Sequence, residues 1–339
     1  MDRIRIAVAG GGGGIGLGSH LPAIASLPQV ELVAVCDANA RGLEEAVARY
    51  GGTPYSSLQD MLQREDIDLV DITTPDSLHA QNTIAAARAG KHVLCEKPMA
   101  MSLSEAAAMK AAVEQAGVKF MVAQCMRWFP EGIALKEACR SIGEPVFSAY
   151  HIKGRFFGYP AASFYRKRES LGQFVHNGMH YVDLMSWCVD SLPARVYAQS
   201  TGHYPSDDRL ETDNYLVASV TYRSGATGVY ELNQLMLDPP GYRGDTRWYV
   251  VGTEGTAEWR TDAGRHTEVF GAAGTAYPRM SPQEDGRDPF AAEIAHMADC
   301  ILHDEPPCIG MDWSIAVLAT CLGAVQSART GQVVDIASD

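Results

Sequence analysis

The sequence predicts an α/β protein of two domains. The first is a parallel sheet wrapped by helices, and the second is built on a largely antiparallel sheet. Three observations carry this reading. Short apolar strands alternate with helical segments through residues 1–123, a run of glycines follows the first strand at once, and later strands lengthen and alternate in and out. The length of 339 residues also suits two domains of about 150 residues each.

Ile4 to Ala9 reads as a short buried strand, His20 to Ser26 as a helix, and Val30 to Asp37 as the second strand. Asn39 to Tyr50 is helical, with Leu43, Val47 and Tyr50 at helical spacing. Leu58 to Gln63 begins a short helix. Asp68 to Ile72 is a strand that stops at Thr73-Thr74-Pro75, and His79 to Ala89 is a helix closed by Gly90. His92 to Cys95 is a strand ending at Glu96-Lys97-Pro98. Leu103 to Gln115 is a helix followed by Gly117, and Lys119 to Ala123 is the last strand of this domain. Strand, helix, strand at this spacing implies right-handed crossovers and a sheet covered on both faces, so its strands are nearly all apolar.

Residues 124–339 form the second domain. Pro145 to Ile152, Ala194 to Ser200, Tyr215 to Tyr222, Thr227 to Leu235, Arg247 to Val251 and Thr256 to Trp259 read as strands. Gly132 to Arg140, His176 to Cys188, Phe290 to Leu302 and Asp312 to Ala328 read as flanking helices. Residues 271–289, rich in Gly, Pro and charge, read as a loop.

Composition narrows the function. The net charge of −13 disfavours nucleic acid and anionic membrane surfaces, since both require a basic footprint. No stretch approaches the 18 apolar residues of a membrane span, and no signal peptide is evident, so a cytoplasmic location is expected. The eight cysteines include no Cys-x-x-Cys pair, so free thiols are expected and no metal site.

Chemistry concentrates in three places. Within the run Gly10 to Gly14 and on to Gly16, the register Gly11-x-Gly13-x-x-Gly16 fits a dinucleotide turn throughout. Its first glycine permits the tight turn, its second lets a pyrophosphate approach, and its third packs helix on strand. Gly14 and Ile15 lie inside the same turn. Asp37 stands 21 residues beyond Gly16, where a carboxylate can take the adenosine ribose hydroxyls and repel a 2′-phosphate. NAD is therefore expected over NADP, with Arg41 close enough to soften the preference. A solvated strand-end carboxylate is the plainer reading of Asp37.

Thr73, Thr74, Pro75 and His79 follow a strand end and are expected to line the nicotinamide side, though capping alone would explain Thr74. Glu96 and Lys97 end the next strand, and Lys97 can hydrogen-bond a substrate hydroxyl. The third place is Gly172 to Asp183. There His176 and His180 are four apart and share a helix face, with imidazoles that exchange protons near neutral pH. Zinc is not expected there, because the Glu of His-Glu-x-x-His is missing. Arg127 and Trp128, with Arg155 and Tyr159 from a basic, aromatic stretch, are candidates to contact a polar substrate.

Together these segments resemble the glucose-fructose oxidoreductase and inositol dehydrogenase family (Gfo/Idh/MocA). The resemblance rests on Ile6-Ala7-Val8-Ala9 with the glycine turn, His20-Leu21-Pro22-Ala23, Thr74-Pro75 with His79, Gly90 through Pro98, Arg127-Trp128, and Gly252-Thr253-Glu254-Gly255. It implies an N-terminal Rossmann domain with a parallel sheet and a C-terminal α/β domain with a large, mostly antiparallel sheet. It implies Lys97 as active-site lysine and His180 as acid–base residue. It also implies a homodimer or homotetramer formed through the sheet domain. The family's Asp-x-Gly-x-His reads His176-Asn177-Gly178-Met179-His180 here, so a histidine replaces the aspartate. The expected activity is reversible NAD(P)-dependent oxidation of a secondary hydroxyl on a sugar, sugar derivative or cyclitol. Two alternatives are non-redox elimination or glycoside cleavage with internally recycled NAD, and a non-catalytic NAD-binding sensor or structural protein.

Overall fold

The computed structural model describes residues 3–153, 171–201, 215–233, 245–260, 267–271, 274–276 and 288–336. Two compact units interleave along the chain. One comprises Met1–Trp128 with Gly286–Ile315, the other Phe129–Asp285 with Ala316–Asp339. The contiguous division expected after residue 123 does not describe these units, because Gly286–Ile315 returns to the first. Helical periodicity marks which face of Pro289–Leu302 is apolar, but it does not say which sheet that face covers.

The first unit holds β1 (Ile4–Ala9), β2 (Val30–Cys36), β3 (Thr53–Tyr55), β4 (Leu69–Ile72), β5 (His92–Glu96) and β6 (Phe120–Ala123). They pair in parallel in the order β3-β2-β1-β4-β5-β6. Ile4, Ile6, Val8, Leu69, Ile72, Val93 and Leu94 are fully or almost fully buried, as a sheet covered on both faces requires. The strand order reverses between β1 and β4, and ligands of such sheets gather at the carboxyl ends beside that reversal. β3 lacks an apolar run to announce it, being three residues after the positive-φ pair Gly51 and Gly52.

The helices of this unit are α1 (Leu21–Ser26), α2 (Ala40–Tyr50), α3 (Leu58–Met61), α4 (His79–Arg88) and α5 (Leu103–Ala116). Asn39, Ser57 and Ser102 cap α2, α3 and α5 by accepting backbone N–H bonds. Glu105 returns its carboxylate to the Met101 N–H at 2.8 Å, next to the Ser102 cap. The expected helix from His20 is preceded by a π turn, Gly16–His20, closed by the Leu21 N–H on the Gly16 carbonyl.

The second unit begins with α6 (Pro130–Cys139), β7 (Pro145–Lys153), a π turn (Phe174–Gly178) and α7 (Met179–Val189). Its further strands are β8 (Pro193–Ser200), β9 (Tyr215–Tyr222), β10 (Thr227–Asn233), β11 (Asp245–Gly252), β12 (Gly255–Arg260), β13 (Thr267–Gly271), β14 (Gly274–Ala276) and, near the end, β15 (Val334–Asp335). Among the described residues they order as β14-β13-β12-β11-β7-β10-β9-β8-β15. Among the described residues of this sheet only the β7–β10 pair is parallel. The loop expected over 271–289 thus carries the edge strand β14. Its three exposed residues give no alternation to read.

The remaining helices are α8 (Pro289–Leu302) and α9 (Met311–Thr330). α8 packs on α1, β1 and β5 within the first unit, burying Ala291, Ile294, Ala295, Met297 and Ala298. In the second unit, α6 and α7 cover one sheet face. Under them Tyr150 stacks on Tyr181 at 3.8 Å and on Trp248 at 5.4 Å. The hydroxyls of Ser148, Tyr222 and Tyr230 link in a buried chain with spacings of 2.8 and 2.7 Å. No helix among the described residues is long and apolar enough to cross a membrane.

Candidate active site

The glycine turn leaves β1 at Gly10. Its φ of +93° suits only glycine, and a Cβ there would lie 2.6 Å from the Thr73 carbonyl. The tight-turn role expected of Gly11 therefore falls to Gly10. Gly11 is held instead by Val35, whose side chain a Cβ would meet at 2.5 Å. Gly16 packs as a third glycine should: its Cβ would meet the Gly10 carbonyl at 2.6 Å and the Thr73 hydroxyl at 2.7 Å. Gly14 is exposed and faces open space, and Ile15 is also exposed. Backbone in this state can receive a pyrophosphate without displacing a side chain.

Asp37 sits beside this turn. Its Oδ2 accepts the Gly12 N–H at 2.9 Å and its Oδ1 accepts the Asn39 N–H at 2.8 Å. The carboxylate is thus fixed at the end of β2, half-buried, while Arg41 is exposed on the first turn of α2. An open glycine backbone with a fixed carboxylate next to it fits a dinucleotide.

Thr73 closes the end of β4. Its N–H and its hydroxyl both donate to the Ala9 carbonyl, at 2.8 and 3.1 Å. Thr74 accepts from Asn82 Nδ2 at 3.1 Å, and exposed Pro75 leads into a short 3₁₀ turn, Asp76–Leu78. His79 then links this turn to the one after β5. Its Nδ1 lies 2.7 Å from the Pro98 carbonyl and its Nε2 lies 2.7 Å from the Thr74 carbonyl. Carbonyls only accept, so both bonds form only when the ring carries two protons. Burial opposes that charge, but Cys95, the Pro98 carbonyl and Asp76 outweigh it and bring the His79 pKa to about 9.

His20 makes the matching link on the other side. It is fully buried, with Nδ1 at 2.8 Å from Asp71 Oδ2 and Nε2 at 3.0 Å from Glu96 Oε1. Burial favours the neutral ring, yet the two carboxylates win and raise its pKa well above the ordinary imidazole value. Glu96 Oε2 accepts the Lys97 N–H at 2.9 Å. The Glu96 carboxylate thus bonds His20 with one oxygen and the Lys97 backbone N–H with the other. Lys97 is partly exposed, and burial lowers its pKa while Glu96 and Asp76 push back. Sequence reasoning assigned no role to His20, Asp71 or Asp76. A usable signal was Asp71, a lone charge inside the apolar strand Leu69-Val70-Asp71-Ile72.

Arg127 and Trp128 turn toward the 286–315 segment of their own unit. The Arg127 guanidinium lies 4.8 Å over the Trp313 ring, and Trp128 stands 5.1 Å from the His296 ring. Arg127 is only 5% exposed.

In the second unit His176 lies within the π turn and is buried, whereas His180, in the first turn of α7, is half-exposed. The single helix expected here would have put both on one face. The wider π turn changes that angular relation. Tyr181 packs on Tyr150, and Asp183 is fully buried. Arg155 and Tyr159 lie outside the described residues. Among the described residues no group of three His, Cys, Asp or Glu side chains could hold a metal.

The protonated state of His79 has a stability consequence. Its folded pKa of about 9 exceeds the ordinary 6.5, so its contribution of about 3 kcal/mol is complete below pH 6.5 and is lost as pH rises through 9. In urea unfolding, the stability gap between wild type and His79→Gln should narrow across that interval. A gap that stays constant from pH 6 to pH 9.5 would contradict the doubly protonated ring.

Comparison with known proteins agrees with this geometry. Residues 4–124 match the family model described as oxidoreductase family, NAD-binding Rossmann fold, and residues 136–258 match the GFO/IDH/MocA C-terminal domain. The chain is similar to D-apiose dehydrogenase of Paraburkholderia graminis, with 28% identity over 94% of this chain and 87% of that protein. It is similar to scyllo-inositol 2-dehydrogenase (NAD(+)) of Bacillus subtilis, with 28% identity over 92% of this chain and 91% of that one. The WlbA dehydrogenase of Bordetella pertussis, solved with NADH and UDP-GlcNAcA, superposes with a TM-score of 0.81 at 26% identity, covering 99% of this chain and all of that one. A glycine cradle with its carboxylate, a lysine at the next strand end, and models that match both halves of the chain place it in the GFO/IDH/MocA family of NAD-binding oxidoreductases.

Proposed function

We propose that this protein reversibly oxidises a secondary hydroxyl on a sugar, sugar derivative or cyclitol, with NAD as the preferred coenzyme. The observation that carries the reading is Lys97, held just after β5 at the same carboxyl end of the parallel sheet as the glycine turn and Asp37. The apiose and scyllo-inositol dehydrogenases, both polyhydroxy-substrate enzymes by name, support the substrate class.

The nicotinamide coenzyme supplies the hydride chemistry. This chain's residues bind, orient and move the proton. The backbone of Gly13 and Gly14 receives the pyrophosphate, and Asp37 accepts the ribose hydroxyls. The Lys97 ammonium donates to the substrate oxygen and stabilises the negative charge that develops on it. His180 takes the hydroxyl proton. His176, which replaces a carboxylate of the family pattern, contacts a neighbouring hydroxyl.

In Lys97→Ala and His180→Ala, turnover of a sugar and cyclitol panel should fall by about 10²–10⁴-fold, with coenzyme binding retained by fluorescence titration. Unchanged turnover in either variant would remove that residue from the chemistry. Asp37→Ser should shift the ratio of NAD to NADP efficiency by about tenfold toward NADP, because it removes a charge that repels the 2′-phosphate. An unaltered ratio would show that Asp37 does not set the preference.

Self-association through the sheet face not covered by α6 and α7 completes the proposal. Phe147, Tyr197, Val229 and the exposed Val333 line a shallow groove there. Val229→Arg should convert a dimer or tetramer to monomer in sedimentation velocity. An oligomer that survives this change would place the interface elsewhere.

A further inference from the structure

We propose that Glu96 is the positioning residue for Lys97, and that the buried Asp71–His20 pair holds Glu96 in that role. The inference rests on reading Lys97 as the group that meets the substrate oxygen. It goes beyond that reading by naming what places the ammonium and keeps it charged.

The geometry is a chain of alternating charge from the sheet interior to the strand end. Asp71, fully buried in β4, bonds His20 at 2.8 Å, and its other oxygen makes no hydrogen bond among the described residues. His20 bonds Glu96 at 3.0 Å through its second nitrogen. With an ionised carboxylate on each ring nitrogen, the imidazole makes both bonds only as a cation. The other oxygen of Glu96 accepts the Lys97 N–H at 2.9 Å. One carboxylate therefore fixes the backbone that carries Lys97 and sets a negative charge beside its side chain. Pairing with His20 is what makes a buried carboxylate tolerable at that point.

The groups facing Lys97 come from three elements. Glu96 precedes it as the last residue of β5, Asp76 lies on the 3₁₀ turn after β4, and Cys125 follows β6. Cys125 contributes no charge at neutral pH, because burial, then Glu293 and Glu96, push its thiol well up. His79, cationic and bonded to the Pro98 carbonyl, is balanced by Asp76. The Lys97 ammonium thus depends on two carboxylates, of which Glu96 also holds its backbone. A residue that only filled space would leave the Lys97 titration where it is.

The test follows Lys97 directly, without turnover. Protein dimethylated at lysine with ¹³C is titrated by NMR, and the Lys97 resonance is assigned by its absence from Lys97→Arg. Glu96→Gln keeps the size but removes the charge and one of the two acceptor oxygens, so it can accept from the Lys97 N–H or from His20 but not from both. Its Lys97 midpoint should fall by about one pH unit or more, and the alkaline limb of kcat should move down with it. An unmoved midpoint in a folded Glu96→Gln protein overturns the proposal. A second measurement needs no variant: ¹⁵N NMR of the His20 ring in wild type should show both nitrogens protonated at pH 8. A bare ring nitrogen there overturns it as well. If no polyol is turned over but the midpoint still moves, the substrate reading fails and the role of Glu96 stands.

Discussion

The buried imidazolium of His20 between Asp71 and Glu96 is the interaction on which the strand-end site depends. Two carboxylates this deep in a sheet would each be costly alone, and one cation between them offsets both. The consequence runs outward. Glu96 is fixed, so the backbone of Lys97 is fixed, and the turn that follows is tied from the other side by His79 to Pro98 and Thr74. His79 thus joins the turns after β4 and β5, and His20 joins both strands to the segment after β1.

Both singled-out regions use the same backbone device. A π turn opens the segment that carries His20, and another opens the segment that carries His176 and His180. A π turn holds one residue more than an α turn and is found disproportionately at functional sites. Here the first ends on His20, whose side chain is fully buried. The second separates a buried His176 from a half-exposed His180.

Much of the first unit was legible in the sequence because physics there is restrictive. A parallel sheet covered on both faces demands short apolar strands, and a close approach of backbone to Thr73 demands glycine at Gly10 and Gly16. Asp37 and Lys97 were legible as charges at strand ends. What escaped was long-range. Nothing near His20 in the chain names Asp71 or Glu96 as its partners, 51 and 76 residues away. Nor does the chain near Arg127 and Trp128 name Trp313 and His296 as the rings against them. The assignment of α8 to the first unit, the π turns, and the short strands β3, β14 and β15 likewise depend on tertiary pairing that local pattern does not encode.

In the proposed reaction hydride passes between a polyol carbon and nicotinamide, and the side chains of this protein manage only charge and proton. The most direct measurement uses sugars and cyclitols deuterated at their carbinol carbons, incubated with the protein and NAD+, followed by mass spectrometry of the coenzyme. The account predicts reduced coenzyme one mass unit heavier than that formed from the unlabelled polyol. Consumption of the polyol with reduced coenzyme of unlabelled mass, or with no reduced coenzyme at any time, would contradict it.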